Sequence, residues 1–429
     1  VHFKITLIGL LIALPVLACG SPLSVSNSKP AATRLKIVQF DTPTPTYTPT
    51  YTPTITPVNK TTSGPVATPD NTATSTTLPP TGTPTAAAVI STPTSTPVPA
   101  PTSTPVPSAA EVTPTTITIT QNHLGYGVQL AEAKNMDLAV RGGFTWAKHD
   151  LNIRQGVNFI ANADNLLNDL RKSGAEHVLL KLVVWNEGGL PDAPRSSDEI
   201  EDYAKNAAEA AKFIRQKHGA SFKTIAYEIW NEPNLNWEWE NNPNPAEFVN
   251  LLRATSAAIR QADPEAIIVS GAPSPGGDFD DLKFLEGMYA NGVKGVVDAI
   301  GSHPYGGPWP HDHPTGVDAQ GNGWPYFRKA EAQRAIMEQY GDTTTPIWAT
   351  EFSWLAGIPH CDFGEHTRWQ VSPQQQADYL VAAYSYAHQN WPWMGPMFVV
   401  YDFGLTGRYG ECHPASGYSI LRPDPNTPN

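Results

Sequence analysis

Between residues 124 and 402 short apolar runs alternate with longer amphipathic ones, and this alternation restricts the fold more than any other feature. The β-type runs lie at 124–130, 144–150, 177–185, 224–230, 266–271, 299–303, 346–350 and 397–402. Helical patterns fill most of the gaps, at 162–172, 197–219, 246–263, 282–291, 327–340 and 372–390. Leu166, Leu167 and Leu170 illustrate the helical spacing. Short apolar strands separated by helices imply a parallel sheet with helical crossovers. Eight such units predict an α/β fold, the (β/α)8 TIM barrel, for which roughly 250 residues are typical. Residues 118–429 accommodate it. The rival is a doubly wound sheet, which usually carries a Gly-rich phosphate loop after its first strand. Here Gly125-Tyr126-Gly127 sits inside the strand and no third glycine follows.

In a TIM barrel the chemistry sits at the C-terminal ends of the strands. Strand 2 ends in Lys148-His149-Asp150, strand 3 in Trp185-Asn186-Glu187 and strand 4 in Trp230-Asn231-Glu232-Pro233-Asn234. Strand 6 ends in Ser302-His303-Pro304-Tyr305, strand 7 in Thr350-Glu351-Phe352-Ser353-Trp354 and strand 8 in Tyr401-Asp402. Glu232 and Glu351, three strands apart, face one another across one mouth. Glycoside hydrolysis needs such a pair, one carboxyl to protonate the leaving oxygen and one to attack or to activate water. In retaining enzymes the two stand about 5–5.5 Å apart, and the charge on one favours the protonated form of its neighbour. The chemistry requires no cofactor and no metal.

Trp230-Asn231-Glu232-Pro233-Asn234 resembles the Asn-Glu-Pro motif of glycoside hydrolase clan A, and Thr350-Glu351-Phe352 resembles that clan's strand-7 nucleophile motif. His303 and Tyr305 resemble the strand-6 pair that flanks the nucleophile. The order and spacing cover nearly all of residues 120–410, and within the clan the chain resembles families 39 and 5. The resemblance implies that Glu232 is the acid/base, Glu351 the nucleophile and Asn231 a ligand of the sugar 2-hydroxyl. His303, Tyr305, Trp185, Asn186, Trp354, Lys148, His149 and Tyr401 complete the expected substrate-binding set. Two departures stand out. Clan members often carry Arg at the end of strand 2, where this chain has Lys148 or His149. The segment 417–422 resembles the loop before the last helix, so the eighth helix is expected to be truncated.

All 12 tryptophans lie from Trp146 onward. Trp185, Trp237, Trp239, Trp309, Trp324, Trp354 and Trp369 fall at or after strand ends, and about half are expected to offer ring faces to sugars, the rest to pack loops. Glu238 and Glu240 are read as shaping specificity or facing solvent. Glu187 and Asp192 either bind hydroxyls or are exposed loop charges. His311-Asp312-His313 has metal-ligand residue types but no obvious third ligand. Cys361 and Cys412 fall in loops after strands 7 and 8 and are expected to form a disulfide beside the nucleophile. The alternatives are free thiols, or metal ligands with His360 and His413.

Residues 1–18 read as a signal peptide: Lys4, an apolar run to Leu17, then Val16-Leu17-Ala18-Cys19. That ending looks like a bacterial lipobox, so Cys19 is expected to be lipidated and to anchor the chain at the cell surface; secretion is the alternative. Residues 19–117 are a Thr/Pro/Ser-rich linker in which only Asp41, Lys60 and Asp70 carry charge between 41 and 110. Proline density forbids helix and sheet ladders there and favours a disordered, semi-rigid stalk. The net charge of −12 argues against nucleic acid, whose binding rests on basic clusters. The expected partner is a polysaccharide or oligosaccharide met by a monomer, with membrane contact only through the lipid anchor. A retaining hydrolase, a transglycosylase, a non-catalytic carbohydrate binder on the same barrel and a structural surface stalk are the competing functions. The paired glutamates favour the first two.

Overall fold

A computed structural model of the chain describes residues 124–240, 242–318, 323–358, 360–400, 410 and 412–420, all within the unit 114–429. The expectations for Cys19, the signal segment, the stalk, Tyr401 and Asp402 lie outside the described residues.

Eight parallel strands form one sheet: β1 (Tyr126–Gln129), β2 (Trp146–Asn152), β3 (His177–Val183), β4 (Thr224–Ile229), β5 (Ile267–Ser270), β6 (Ile300–Ser302), β7 (Ile347–Phe352) and β8 (Met394–Val400). The hydrogen-bonded order runs β5-β4-β3-β2-β1-β8-β7-β6. One parallel bridge, Val269–Ala299, joins β5 to β6 and closes the ring. This is the expected (β/α)8 barrel. Helices α1 (Met136–Arg141), α2 (Phe159–Lys172), α3 (Ser197–His218), α4 (Pro245–Ala262), α5 (Asp281–Ala290), α6 (Lys329–Gln339) and α7 (Pro373–Asn390) occupy the crossovers. Among the described residues beyond β8 the helical element is the single turn α8 (Pro414–Gly417).

The helix starts follow from side-chain chemistry. Ser196 and Glu199 form a reciprocal capping box on α3, as Ser372 and Gln375 do on α7, where Pro373 occupies the first turn. Asn244 caps α4 ahead of Pro245. These caps satisfy orphan N–H donors and set where each helix leaves its loop.

Side chains alternate between the two sides of each strand. One set packs outward against the helices: Ala147, Leu151, Val178, Leu180, Leu182, Ile225, Tyr227 and Ile229. The other fills the barrel with a dry layer of Trp146, Leu179, Ala226, Val269, Ala299, Trp348 and Phe398. Strand β1 contributes Gly127 to this level because a Cβ there would lie 2.4 Å from the Phe398 ring. The aromatic layer is the floor on which the polar mouth rests.

Candidate active site

Two residues above the floor, strand alternation brings Lys148 (β2), Lys181 (β3) and Glu228 (β4) to the inside. Lys148 and Glu228 are both fully buried, with Nζ 2.9 Å from Oε2. A buried charge this deep is tolerated only when paired. On β7 the same alternation, counted from Trp348, would send Glu351 outward. The pairing shows why it does not. Ala349 opposes Met397 and Phe352 opposes Val399, so three steps on β7 match two on β8. That extra residue is a β-bulge, which re-aims a side chain. Glu351 thereby turns into the barrel. Lys148 Nζ donates to its Oε1 at 3.2 Å and to the Thr350 carbonyl at 3.0 Å. Lys181 Nζ stands 3.6 Å from the same Oε1, and the Tyr305 hydroxyl donates to Oε2 at 2.9 Å.

Burial alone would raise the Glu351 carboxyl. The Lys148 charge, then His303 and Lys181, then the Tyr305 hydroxyl overcome it and hold the group well below the usual carboxylate range. Glu351 is therefore an anion at neutral pH. Lys148 fills the place of the strand-2 arginine, and Lys181 adds a second cation that the sequence did not announce.

Glu232 reaches the site by a break in the β4 backbone. After Ile229 the chain takes φ +70° at Trp230 and φ +35° at Glu232, conformations that cost non-glycine residues about 1–3 kcal/mol each. The first turns the Trp230 ring outward onto Tyr203 and Trp239, where it is buried. Asn231 and Glu232 can then both address the mouth. Asn234 holds the loop: its Oδ1 accepts from Ser274 N at 2.7 Å and its Nδ2 donates to the Ser274 and Phe279 carbonyls. His303 Nδ1 lies 3.0 Å from Glu232 Oε1 and 3.9 Å from Glu351 Oε2. One oxygen of each glutamate and a ring nitrogen of His303 all fall within 4.8 Å of one another.

Asn231 lies between an ammonium and a buried carboxyl. Lys181 donates to its Oδ1 at 3.2 Å, and its Nδ2 donates to Glu238 Oε1 at 2.6 Å. Glu238, read from sequence as solvent-facing or a specificity group, is 5% exposed. Burial pushes its carboxyl up, the Asn231 hydrogen bond pulls it back and the Glu232 charge pushes again, so that it is raised to about 8. The folded state therefore keeps this proton over a range, about pH 4.5 to 8, in which the unfolded chain has released it. Its contribution to stability is full below that window and is lost as pH rises through it. Glu238→Gln is expected to match the parent near pH 4. By pH 8 it should be more stable by on the order of a few kcal/mol, read from urea midpoints across that range. A constant offset at every pH would contradict the buried proton.

Several expected site residues serve elsewhere. His149 lies on the strand face opposite Lys148, and its Nδ1 contacts the Asp150 carbonyl. Asn186 Oδ1 accepts from the Gly188 and Leu190 amides and closes its own turn. Trp354 is fully buried between Phe327 and Tyr379, with Nε1 donating to the Trp309 carbonyl at 2.6 Å, so no ring face is left for a sugar. Trp239 is likewise buried, Trp309 stacks on His313, and Arg368 covers Trp324. Trp185 is half-buried after β3, while Trp237, 59% exposed, stands on the Glu232 loop. His311 packs against Tyr386 rather than beside His313.

Cys361 and Cys412 form the expected disulfide. It ties the loop after β7 to the segment carrying Tyr418. That segment is fastened further by Gly417 O, which accepts from Ala356 N, and by Gln376 Nε2, which donates to the Trp354 and Gly417 carbonyls. The Tyr418 ring lies 5.3 Å from Tyr305, and burial followed by the Glu232 charge raises its hydroxyl. Sequence reasoning missed Tyr418 as a wall of the site. The signal was indirect, six residues after a cysteine whose partner lies in the loop after the Glu351 strand.

The profile of the cellulase family, glycosyl hydrolase family 5, matches residues 126–353, more than half of the chain. A β-xylosidase of Geobacillus stearothermophilus is 30% identical over 104 residues, 24% of this chain and 20% of that enzyme. Among solved structures, a family 39 glycoside hydrolase from the gut symbiont Bacteroides cellulosilyticus WH2 is similar at 18% identity and TM-score 0.48, covering 70% of this chain and 60% of that one. The GH53 catalytic domain of Ignisphaera aggregans gives 18% identity and TM-score 0.48 over 70% and 92% of the two chains. The chain thus spans a fifth of the curated relative it matches.

Proposed function

The chain belongs to the cellulase family, glycosyl hydrolase family 5, a clan A family, and on that footing we propose a double-displacement reaction at Glu232 and Glu351 with retention at the anomeric carbon. It is an O-glycosyl hydrolase. The substrate class we propose is a plant or microbial polysaccharide or oligosaccharide.

The observation that carries the reading is the spacing of the pair. Oxygens of the two glutamates lie within 4.8 Å. Inverting enzymes hold their carboxyls about 6.5–9.5 Å apart so that a water fits between sugar and base. The closer spacing fits direct attack of one carboxylate on the anomeric carbon. Glu351, kept anionic by two lysines and a tyrosine hydroxyl, attacks that carbon. Glu232 protonates the departing oxygen, then takes a proton from the water that releases the glycosyl-enzyme. His303 hydrogen-bonds Glu232 and orients it toward the leaving group. Asn231 donates to the 2-hydroxyl, an interaction that strengthens in the transition state.

The direct test is labelling. The chain is incubated with 2-deoxy-2-fluoro glycosides of several sugars, its intact mass measured and the adduct mapped. Label on Glu351 identifies the nucleophile and the sugar it accepts together. A protein that takes no label and releases no reducing ends from a broad polysaccharide panel would be a carbohydrate binder rather than a hydrolase. A second expectation concerns Glu232→Ala. It should lose about 10²- to 10⁴-fold on natural glycosides and far less on aryl glycosides with acidic leaving groups, which need little protonation. Equal losses on both substrate types would remove Glu232 from the acid role.

A further inference from the structure

Glu238 is a buried carboxyl at the mouth for which the reaction above has no use. It lies in the loop that carries Glu232, on backbone that is firmly held. Glu238 N and Trp239 N both donate to the Leu235 carbonyl. The next residue, Trp239, is fully buried, edge-on to Trp230 and Phe248, with Nε1 donating to Glu247. A carboxyl that merely faced solvent would not be seated this way.

The orientation of the Asn231 amide follows from its neighbours. An ammonium group has donors and no acceptor, so the atom facing Lys181 must be the amide oxygen. Nδ2 then faces Glu238 Oε1, where the 2.6 Å contact uses one of its two hydrogens. The second hydrogen remains for a ligand. We propose that Glu238 is a positioning residue whose carboxyl, opposite the Lys181 ammonium, clamps the Asn231 amide so that its free N–H meets the sugar 2-hydroxyl. This inference rests on the reading of Asn231 given above.

The groups around the clamp suit that task. Glu232 from the same loop, Lys181 from β3 and Asp150 from β2 all act on the Glu238 carboxyl. Burial keeps it protonated at neutral pH, so Oε1 accepts from Asn231 while the proton sits on Oε2. A protonated carboxyl offers an acceptor oxygen beside a hydroxyl donor, and a primary amide offers an acceptor oxygen beside an NH2 donor. Glutamine should therefore replace Glu238 with little loss, whereas an apolar residue of similar size should not.

The experiment compares the full-length parent with Glu238→Gln, Glu238→Leu, Asn231→Ala and the Asn231→Ala/Glu238→Leu double variant. Substrates are aryl glycosides of the sugar that the parent accepts, with and without the 2-hydroxyl. Glu238→Leu should lose ~10- to 100-fold in kcat on the 2-hydroxy substrate, the scale of a misplaced contact, and little on the 2-deoxy one. Glu238→Gln should stay within about threefold of the parent, and the leucine should add nothing once Asn231 is alanine. Equal losses on the two substrates, or additive losses in the double variant, would overturn the clamp. Glu238→Met is the substitute if the leucine variant does not fold. Crystal structures supply a readout independent of turnover: the Asn231 amide should rotate in the apolar variant and stay in place in Glu238→Gln. An unmoved amide sinks the proposal even if catalysis falls. A parent inactive on every glycoside would sink the hydrolytic reading while the crystals still judged the clamp.

Discussion

Glu351→Gln is expected to lower kcat by roughly 10⁴- to 10⁶-fold, the scale seen when a covalent nucleophile is removed, with KM changed far less. The substitution is nearly isosteric, so the Tyr305 hydroxyl can still donate to the amide oxygen and the barrel keeps its shape. On the proposed mechanism, what is lost is the anion that attacks the anomeric carbon and the negative charge that stabilises the oxocarbenium-like transition state. The product of rescue distinguishes this role from that of Glu232. In Glu351→Gly, azide enters the vacated space and attacks from the nucleophile's own face, so the glycosyl azide has the inverted configuration. In Glu232→Ala, azide attacks the glycosyl-enzyme from the opposite face, so the azide product retains configuration. Nuclear magnetic resonance of the two products settles the assignment. The same anomer from both variants, or a Glu351→Gln enzyme within tenfold of the parent, would contradict it.

The barrel was legible because its cause is local. Each strand is a short apolar run and each helix an amphipathic one, so all eight strands lie where periodicity places them. Boundaries moved by up to three residues, as at β8, whose strand begins at Met394 rather than at residue 397. The aim of individual side chains was less legible, because it depends on contacts distant in sequence. The bulge that turns Glu351 inward is a mismatch between β7 and β8, and neither strand shows it alone. The positive φ at Trp230 is held by Tyr203, on α3, and by Trp239, some residues further on. Without that break Trp230 would read as a lining aromatic. Trp354 and His149 mislead for a related reason. Proximity along the chain to Glu351 or to Lys148 says nothing about which side of the strand a residue takes. Lys148 was legible only as one of two residues, with His149, standing where an arginine was expected; its sharing between Glu351 and Glu228 was not.

That sharing sets the second large effect. Lys148→Met is expected to destabilise the barrel by about 3–5 kcal/mol at neutral pH, the cost of leaving buried charge without its partner. Two carboxylates lose the same cation, Glu228 at 2.9 Å and Glu351 at 3.2 Å, and the ion sits where no water reaches it. The pH dependence has a definite sign. In the parent, Glu351 is held below its unfolded value, so its contribution is present above about pH 4.5 and fades only as pH falls well below that. In the variant the largest stabilising charge is gone and burial prevails, so the carboxyl rises and holds its proton where the unfolded chain has released it. The stability gap between parent and variant should therefore open as pH increases from 4 to 7 and narrow as pH falls below about 4.5, where the unfolded carboxyl holds its proton and the parent's Glu351 does not. Catalysis moves with it. The acid limb of kcat/KM should shift upward by more than one pH unit, because the nucleophile must lose a proton it did not formerly hold. Adding Glu228→Gln to Lys148→Met removes one of the two stranded anions and should recover part of the stability, read from urea midpoints at pH 7. A gap of equal size at pH 4 and pH 7, or a double variant less stable than Lys148→Met alone, would mean that Lys148 acts by packing and not by charge.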